Sequence, residues 1–554
     1  MNRSRALLLI LFLVVLFFTG LDAVPLFDPD EGRYAEIPRE MIASHDFVTP
    51  RLNGVLYFEK PPLHYWLVAG SLAVLGRNGY GARFWSAFFG LAGVGLAYAL
   101  GRSTGGRKVG TYAAVILGTS PLYLALSHLN LIDMTVTFFL SATLTCYWLA
   151  SRADRGPAGR LLWHGMFAAS AFAVLSKGLI GLVIPVAIVF LHLLFAREWR
   201  VLARVPWITG VALFLAIALP WHLLVALRNP DFLWVYFVRE HVLRFMTTLH
   251  DRAEPWWFFL PVLLVGMLPW SGLLPAASAL FLSRRPGGLR VHRPELIFLG
   301  AWLGSIVVFF SASQAKLIPY VLPGFPAVAI LCAHALVAAG EEDGRHRLLA
   351  RAGVLAGSLA SALLGGAFVY ASSAPITHFS QPGIVLHALL ALGTACVVTG
   401  IAALIVCAGR VLTRGVPALA LTAACIFGAV WAAGPQIAVW RSSYAFAEYL
   451  EGCLGPNDGL FSLGCYPQTL PFYLNRTMGA AAFLGELEFG VTKLPGAERL
   501  ARFPNGVQFK SIWESDRTIY LLTDRDSIPI MRSGGMTPGR ILFERGQYLL
   551  MTNR

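Results

Sequence analysis

The residues best suited to chemistry lie between Phe27 and Tyr65, in FDPDEGRYAEIPREMIASHDFVTPRLNGVLYFEKPPLHY, a long polar interruption in a strongly apolar first half of the chain. Asp28, Pro29 and Glu31 have the spacing of a helix start, with Asp as N-cap, Pro at the first helical position and Glu at the third. Tyr34, Ile37 and Met41 then share one face, which predicts an amphipathic helix lying in a membrane interface. Acids in a first turn stabilise a helix and need do nothing more, and Glu31 fits that simpler role. Asp30 is set apart because Arg33 and Tyr34 follow one turn later and can form a hydrogen-bonded cluster with it. A second helix start follows at Pro61 and Pro62, with Lys60 where the helix dipole is already positive. A cation in that place disfavours itself unless an anion lies between, so Lys60, with Tyr57 as a nearby donor, predicts a phosphate site. The competing expectation is a lysine that snorkels at a membrane boundary, neutralised by Glu59.

Further candidates lie downstream. In LRNPDFLWVYFVREHVLRFMTTLHDRAEP, residues 227–255, Phe237, His241 and Arg244 recur at helical spacing among interfacial aromatics. Glu240 and Arg244 stand four apart and can form an intrahelical ion pair, while Arg244 is also suited to clamp a phosphate with its planar fork. Asp133 opens a span just after His128 and Asn130, either as a first-turn acid or as a carboxylate facing a cavity. Lys177 in LSKGLIG and Lys316 in QAKLIPY mark span ends, where snorkelling competes with a role in a site. No Cys/His cluster has zinc spacing, although Glu59, Asp30 and His241 would suit a divalent ion if the fold gathered them. No Walker loop is present, which weighs against an ATP-driven pump.

The elements that must carry these residues are dictated by composition. Of 554 residues, 56% are hydrophobic and 13% charged, so the chain is a polytopic membrane protein. Runs long enough to span occur near 5–26, 81–100, 109–127, 133–150, 161–176, 179–196, 205–226, 256–282, 294–312, 317–338, 349–371, 385–408 and 413–435, about 13 in all. The pair on either side of Lys177 is short enough to be one broken helix, and the run 63–76 is too short to span. The net charge of +14 is not a nucleic-acid signal, because alternate loops collect the cations, among them Arg3, Arg5, Arg107, Lys108, Arg155, Arg204 and Arg351. By the positive-inside rule these loops are cytoplasmic, the N-terminus with them, and every candidate above falls on the outer side. Division into a transmembrane domain, 1–435, with an outer loop 27–80, and a small soluble α/β domain, 436–554, follows from the loss of long apolar runs and from the strand-like pieces GLFSLG, RTIYLLT and GRILFE. The N-terminal MNRSRALLLILFLVVLFF lacks a clear cleavage site and is expected to stay as the first span. Five cysteines sit within spans; Cys453 and Cys465 lie in the outer tail and are placed to pair if geometry permits.

The acidic motif DEGRYAEIPREM, the run RLNGVLYFEKPPLHYW, then REHVLRF, then KLIPYVLP with a terminal extramembrane domain, together resemble the aminoarabinose transferases of lipid A modification. That family belongs with the protein O-mannosyltransferases in the polytopic GT-C fold, and the resemblance covers essentially the whole chain. It implies an inverting glycosyltransferase that moves 4-amino-4-deoxy-L-arabinose from undecaprenyl phosphate to a lipid A phosphate. The place would be the periplasmic face of the bacterial inner membrane, and the consequence resistance to polymyxin and other cationic peptides. Carried over to this chain, Asp30 takes the catalytic acidic position with Arg33, Tyr34 and Lys60 beside it, and Asp133 is a further catalytic candidate. Tyr57, Lys60, Arg244 and Tyr320, with Lys316, would surround the donor phosphate. Glu31, Glu59, Glu240, His241 and Lys177 remain candidates of open role; no cofactor is required, and any divalent cation would use Glu59 and His241. Two other readings compete: a GT-C transferase of another lipid-linked sugar to lipopolysaccharide or to protein Ser/Thr, and a flippase for such lipids. The clustering of candidates on one side disfavours the flippase, which needs access from both.

Overall fold

The computed structural model describes residues 3–243, 254–281, 293–341, 344–373, 382–408, 412–533, 535–537 and 539–554. Two units are interleaved along the chain: one of Met1–Thr19, Ser86–His128 and Ile132–Ala433, the other of Gly20–Trp85, Leu129–Leu131 and Gly434–Arg554.

The first unit is helical. Among the described residues, nine helices are long and apolar enough to cross a membrane, or ten if the sharply bent pair Phe259–Gly266 and Trp270–Phe281 is one span. The higher expected count is explained by breaks and short helices. The stretches 81–100 and 109–119 both lie in Gly79–Thr119, where the backbone leaves helical geometry at Gly105 and Gly106. Gly106 has φ of 80°, and beyond it the chain folds back so tightly that a Cβ on Gly101 would lie 3.0 Å from the Cα of Gly110. Arg3–Phe18 and Ile180–Ala196, at 16 and 17 residues, are too short to be counted among the nine. Pro157–Lys177 and Ile180–Ala196 are separate helices, which answers the question of a broken span around Lys177.

The second unit combines the polar loop and the tail. Helix Asp30–Ser44 leads into a hairpin of β1 (Arg51–Leu52) and β2 (Val55–Leu56), followed by the short helix Leu63–Leu75. Asn53 and Gly54 hold the left-handed angles of the tight hairpin turn that Asn-Gly favours. The Asn53 amide exchanges two 2.9 Å hydrogen bonds with the backbone of Met478, fastening the hairpin to the tail. The tail forms a mixed sheet in the order β4-β3-β5-β7-β6, with β3 (Gly459–Leu463) parallel to β4 (Gly479–Ala481) and β5 (Ile519–Asp524). β7 (Tyr548–Thr552) runs antiparallel to β5 and to β6 (Arg540–Arg545). The expected strand pieces are β3, β5 and β6. Phe461, Leu463, Phe509, Trp513, Leu521 and Met551 fill the core on one face. Cys453 and Cys465 are both free thiols, so the pairing considered above does not occur: Cys453 is exposed after helix Tyr444–Glu451, and Cys465 is half-buried beyond β3.

Candidate active site

Helix Asp30–Ser44 is unusual in being charged yet buried: every residue from Glu31 to Met41 is withdrawn from solvent. Burying charge is costly unless each group is paired and hydrogen-bonded, so the partners explain the local fold. Glu31 binds Arg83 through both oxygens, at 2.7 Å to Nε and 2.7 Å to Nη2, and accepts from the backbone N–H groups of Asn130 (2.7 Å) and Phe27 (3.0 Å). Arg83 spends its other donors on the carbonyls of Leu21, Val24 and Pro25. Glu36 holds Arg39 in a bidentate pair at 2.6 Å, and Glu40 accepts from the N–H of Gly54 at 2.9 Å. Burial, with Glu40 beside it, pushes the Glu36 carboxyl up to about 8.

The three acids of DPDE thus part company. Asp28 is not the expected N-cap: the helix begins at Asp30, and no side chain caps it. Its carboxylate is already engaged by the backbone N–H (2.7 Å) and hydroxyl (2.8 Å) of Thr469, and burial outweighs these bonds to raise it to about 7. Gly32 permits this approach, since a Cβ there would lie 2.6 Å from the Thr469 nitrogen. Glu31 is consumed by Arg83. Asp30 alone keeps an open carboxylate, 40% exposed, with Arg33 Nη1 at 3.5 Å. Arg33 is in turn held by Glu486 (2.6 Å) and by the Gln468 side-chain oxygen (3.2 Å).

Around this arginine lie aromatic donors. The hydroxyls of Tyr57 and Tyr65 are buried with no hydrogen-bond partner among the described residues. Burial holds the Tyr57 phenol far above its ordinary value despite nearby Arg33, so it is a neutral donor at pH 7. Orphaned hydroxyls of this kind are placed to donate to a water or a ligand. Tyr34 meets His64 edge-on at 5.6 Å and lies 6.2 Å from Tyr65. Lys60, half-buried beside half-buried Glu59, donates to the Glu59 carbonyl at 3.1 Å. Asp30, Arg33, Tyr34, Tyr57, Glu59 and Lys60 therefore share the second unit.

The remaining candidates belong to the helical unit. Asp133 and Lys177 form an ion pair, and the Lys177 ammonium lies 4.6 Å from the ring centre of Tyr320. Tyr320 packs on Phe310 at 5.2 Å. Lys316 directs its ammonium at the carbonyls of Ser313 (2.7 Å) and Glu254 (2.8 Å), which ties it to the backbone. Glu240 is buried in the π-helical stretch Trp234–Leu243, with Arg239 Nε at 4.0 Å. Arg244 and the His241 side chain lie outside the described residues, and with them the expected Glu240–Arg244 pair and any Glu59–His241 metal site. Among the described residues no group of three His, Cys, Asp or Glu side chains is placed to hold a metal.

Arg83, Gln468, Thr469 and Glu486 were not anticipated. Arg83 carried a signal: an arginine just inside the apolar run 81–100 demands a partner. The other three are more than 430 positions from the residues they bind, Arg33 and Asp28, and carry no local mark.

Helical spans joined to a loop-and-tail unit that presents carboxylate, arginine and tyrosines define a GT-C membrane protein. Residues 4–237 match the model of dolichyl-phosphate-mannose-protein mannosyltransferases, and residues 446–553 match the aminoarabinose transferase C-terminal domain. The undecaprenyl phosphate-alpha-4-amino-4-deoxy-L-arabinose arabinosyl transferase of Pseudomonas paraeruginosa is 35% identical over 339 residues, 61% of this chain and 60% of that protein. The chain thus spans about three fifths of the length of the curated relatives it matches. The crystal structure of ArnT from Cupriavidus metallidurans bound to undecaprenyl phosphate is similar with a TM-score of 0.84 at 26% identity, covering 100% of this chain and 99% of that one. An archaeal oligosaccharyltransferase, AglB from Archaeoglobus fulgidus, shares the fold alone, with a TM-score of 0.50 at 13% identity over 93% of this chain and 69% of that one. The chain is thus similar over its whole length to an aminoarabinose transferase structure and carries a tail matching that family's C-terminal domain.

Proposed function

We propose that this chain is an inverting glycosyltransferase of the inner membrane that moves 4-amino-4-deoxy-L-arabinose from undecaprenyl phosphate to a phosphate of lipid A on the periplasmic side. The names of its relatives support the donor and sugar, and the match of residues 446–553 to the aminoarabinose transferase tail favours this sugar over mannose. The observation that carries the reading is the division among Asp28, Asp30 and Glu31, which leaves Asp30 as the open carboxylate beside a clamped arginine.

In the transfer, the bond from the anomeric carbon to the donor phosphate oxygen breaks and its electron pair leaves with undecaprenyl phosphate. An acceptor phosphate oxygen forms the new bond from the opposite face. Negative charge grows on the leaving phosphate, so the cation of Lys60 and the neutral Tyr57 hydroxyl stabilise the transition state there. A phosphate monoester has its second pKa near about 6 and is mostly dianionic at pH 7, so it needs little deprotonation. Asp30 therefore orients acceptor or sugar rather than acting as a strong base, and Arg33 fixes its position.

The test is mass spectrometry of lipid A from a strain lacking its own aminoarabinose transferase, complemented with this chain or with Lys60→Ala. The expected result is a gain of one aminopentose with the native chain and none with the variant. No gain from a well-expressed native chain would overturn the assignment of sugar and acceptor.

A further inference from the structure

A cavity of about 690 Å³ opens in the helical unit where several helix ends meet. Arg5 reaches it from the start of helix Arg3–Phe18, Arg107 and Lys108 from just beyond the break at Gly106, and Thr413 from the turn Leu412–Gly415. These loops belong to the cation-rich set that the positive-inside rule assigns to the cytoplasm. Away from the cations the walls are mostly apolar, and two wall residues, Leu8 at 65% and Leu421 at 48% exposure, lie at the surface of the helical unit, where a span would meet lipid.

A second cavity of about 610 Å³ in the same unit gives the contrast. Residues such as Leu122, Val262, Phe368 and Phe427 line it, and no charged residue does. Such a slot accepts hydrocarbon without discriminating headgroups. The first cavity has three cationic residues and no acidic one among its lining residues, so it discriminates by charge.

We propose that the first cavity binds an anionic glycerophospholipid. Its phosphate diester sits by Arg5, Arg107 and Lys108, its glycerol meets the hydroxyl-bearing Thr111 and Thr413, and one acyl chain follows Leu8, Val115 and Leu421. Charge complementarity selects the headgroup, and the surface wall at Leu8 and Leu421 meets the chain from the bilayer. The site serves binding of bulk lipid, independent of the transfer reaction.

The experiment is native mass spectrometry of the full chain in detergent with phosphatidylglycerol, phosphatidylethanolamine or undecaprenyl phosphate added separately and in competition. Phosphatidylglycerol is expected to be retained at least roughly tenfold more than phosphatidylethanolamine, with preference falling roughly fivefold for each cation removed in Arg107→Gln and Lys108→Gln. Arg155→Gln, an exposed cation that does not line the cavity, should leave the preference unchanged. Ala420→Trp, which fills the cavity at constant charge, should abolish retention while the thermal midpoint without lipid confirms folding. Equal retention of the two phospholipids, preference surviving in Arg107→Gln/Lys108→Gln, an equal loss in Arg155→Gln, retention in a folded Ala420→Trp, or displacement by less undecaprenyl phosphate would each overturn the proposal.

Discussion

In the helical unit, Asp133 meets Lys177 and the Tyr320 ring, whereas Lys316 is satisfied by two backbone carbonyls. In the unit of the polar loop and tail, buried charges form a connected network. Glu31 draws on four donors from three residues, and Arg33 links Asp30 to Glu486 and Gln468. Asp133, Lys177 and Lys316 each rest on one or two of these contacts, so deletion acts locally. The network in the second unit separates labour: some acids hold the helix in place so that one acid can stay open.

That contrast can be broken most severely at Arg83. Arg83→Met leaves Glu31 buried without its countercharge and should destabilise the protein by about 4 kcal/mol, read as a collapse of the thermal midpoint in detergent. Unchanged stability would mean that the network does not hold the helix. Lys177→Met removes the partner of a mostly buried carboxylate and should cost about 3 kcal/mol, a smaller effect because Asp133 keeps 8% of its surface. Glu486→Gln should leave folding nearly intact but slow transfer roughly tenfold, because Arg33 loses its charged anchor and with it the placement of Asp30. A Glu486→Gln enzyme of native rate would detach the tail from the site.

The smallest effect is on pH dependence. Folded Glu36 and Asp28 keep protons up to about 8 and about 7, while their unfolded counterparts release them near the ordinary values of 4.5 and 3.8. The folded state therefore binds more protons across that window, and stability falls as pH rises through it. Thermal midpoints should be higher at pH 5.5 than at pH 8, and Glu36→Gln, which cannot titrate beside Arg39, Glu40 and Tyr466, should flatten the slope. A midpoint rising with pH would contradict the buried, proton-holding arrangement.

Much of this was legible in the residues. Pro61 and Pro62 announced helix Leu63–Leu75 because proline fits a first turn, and alternating apolar pieces announced β3, β5 and β6. The DPDE acids were visible as a group, yet their separate fates were not. Asp28 looked like a cap because capping is a local rule, and it was overridden by Thr469, 441 residues away. Glu31 looked like a cap and does accept from the Phe27 N–H, but Arg83 completes its role. Strands β4 and β7 passed unnoticed: GAA is too short to show alternation, and YLLMT is apolar on both faces. The short helices near Lys177 were hard to resolve because hydropathy reports apolar length and not the breaks within it.

The central claim is that Asp30 serves the reaction and Glu31 serves the fold. Its most direct test is to measure thermal midpoint and aminoarabinose transfer side by side in Asp30→Asn and Glu31→Gln. The account predicts that Asp30→Asn keeps native stability within about 0.5 kcal/mol while transfer falls roughly hundredfold to a measurable residue, as expected for an orienting group. Glu31→Gln should lose stability first and activity only in step with it. Full transfer by Asp30→Asn, or a stable Glu31→Gln without transfer, would contradict the account.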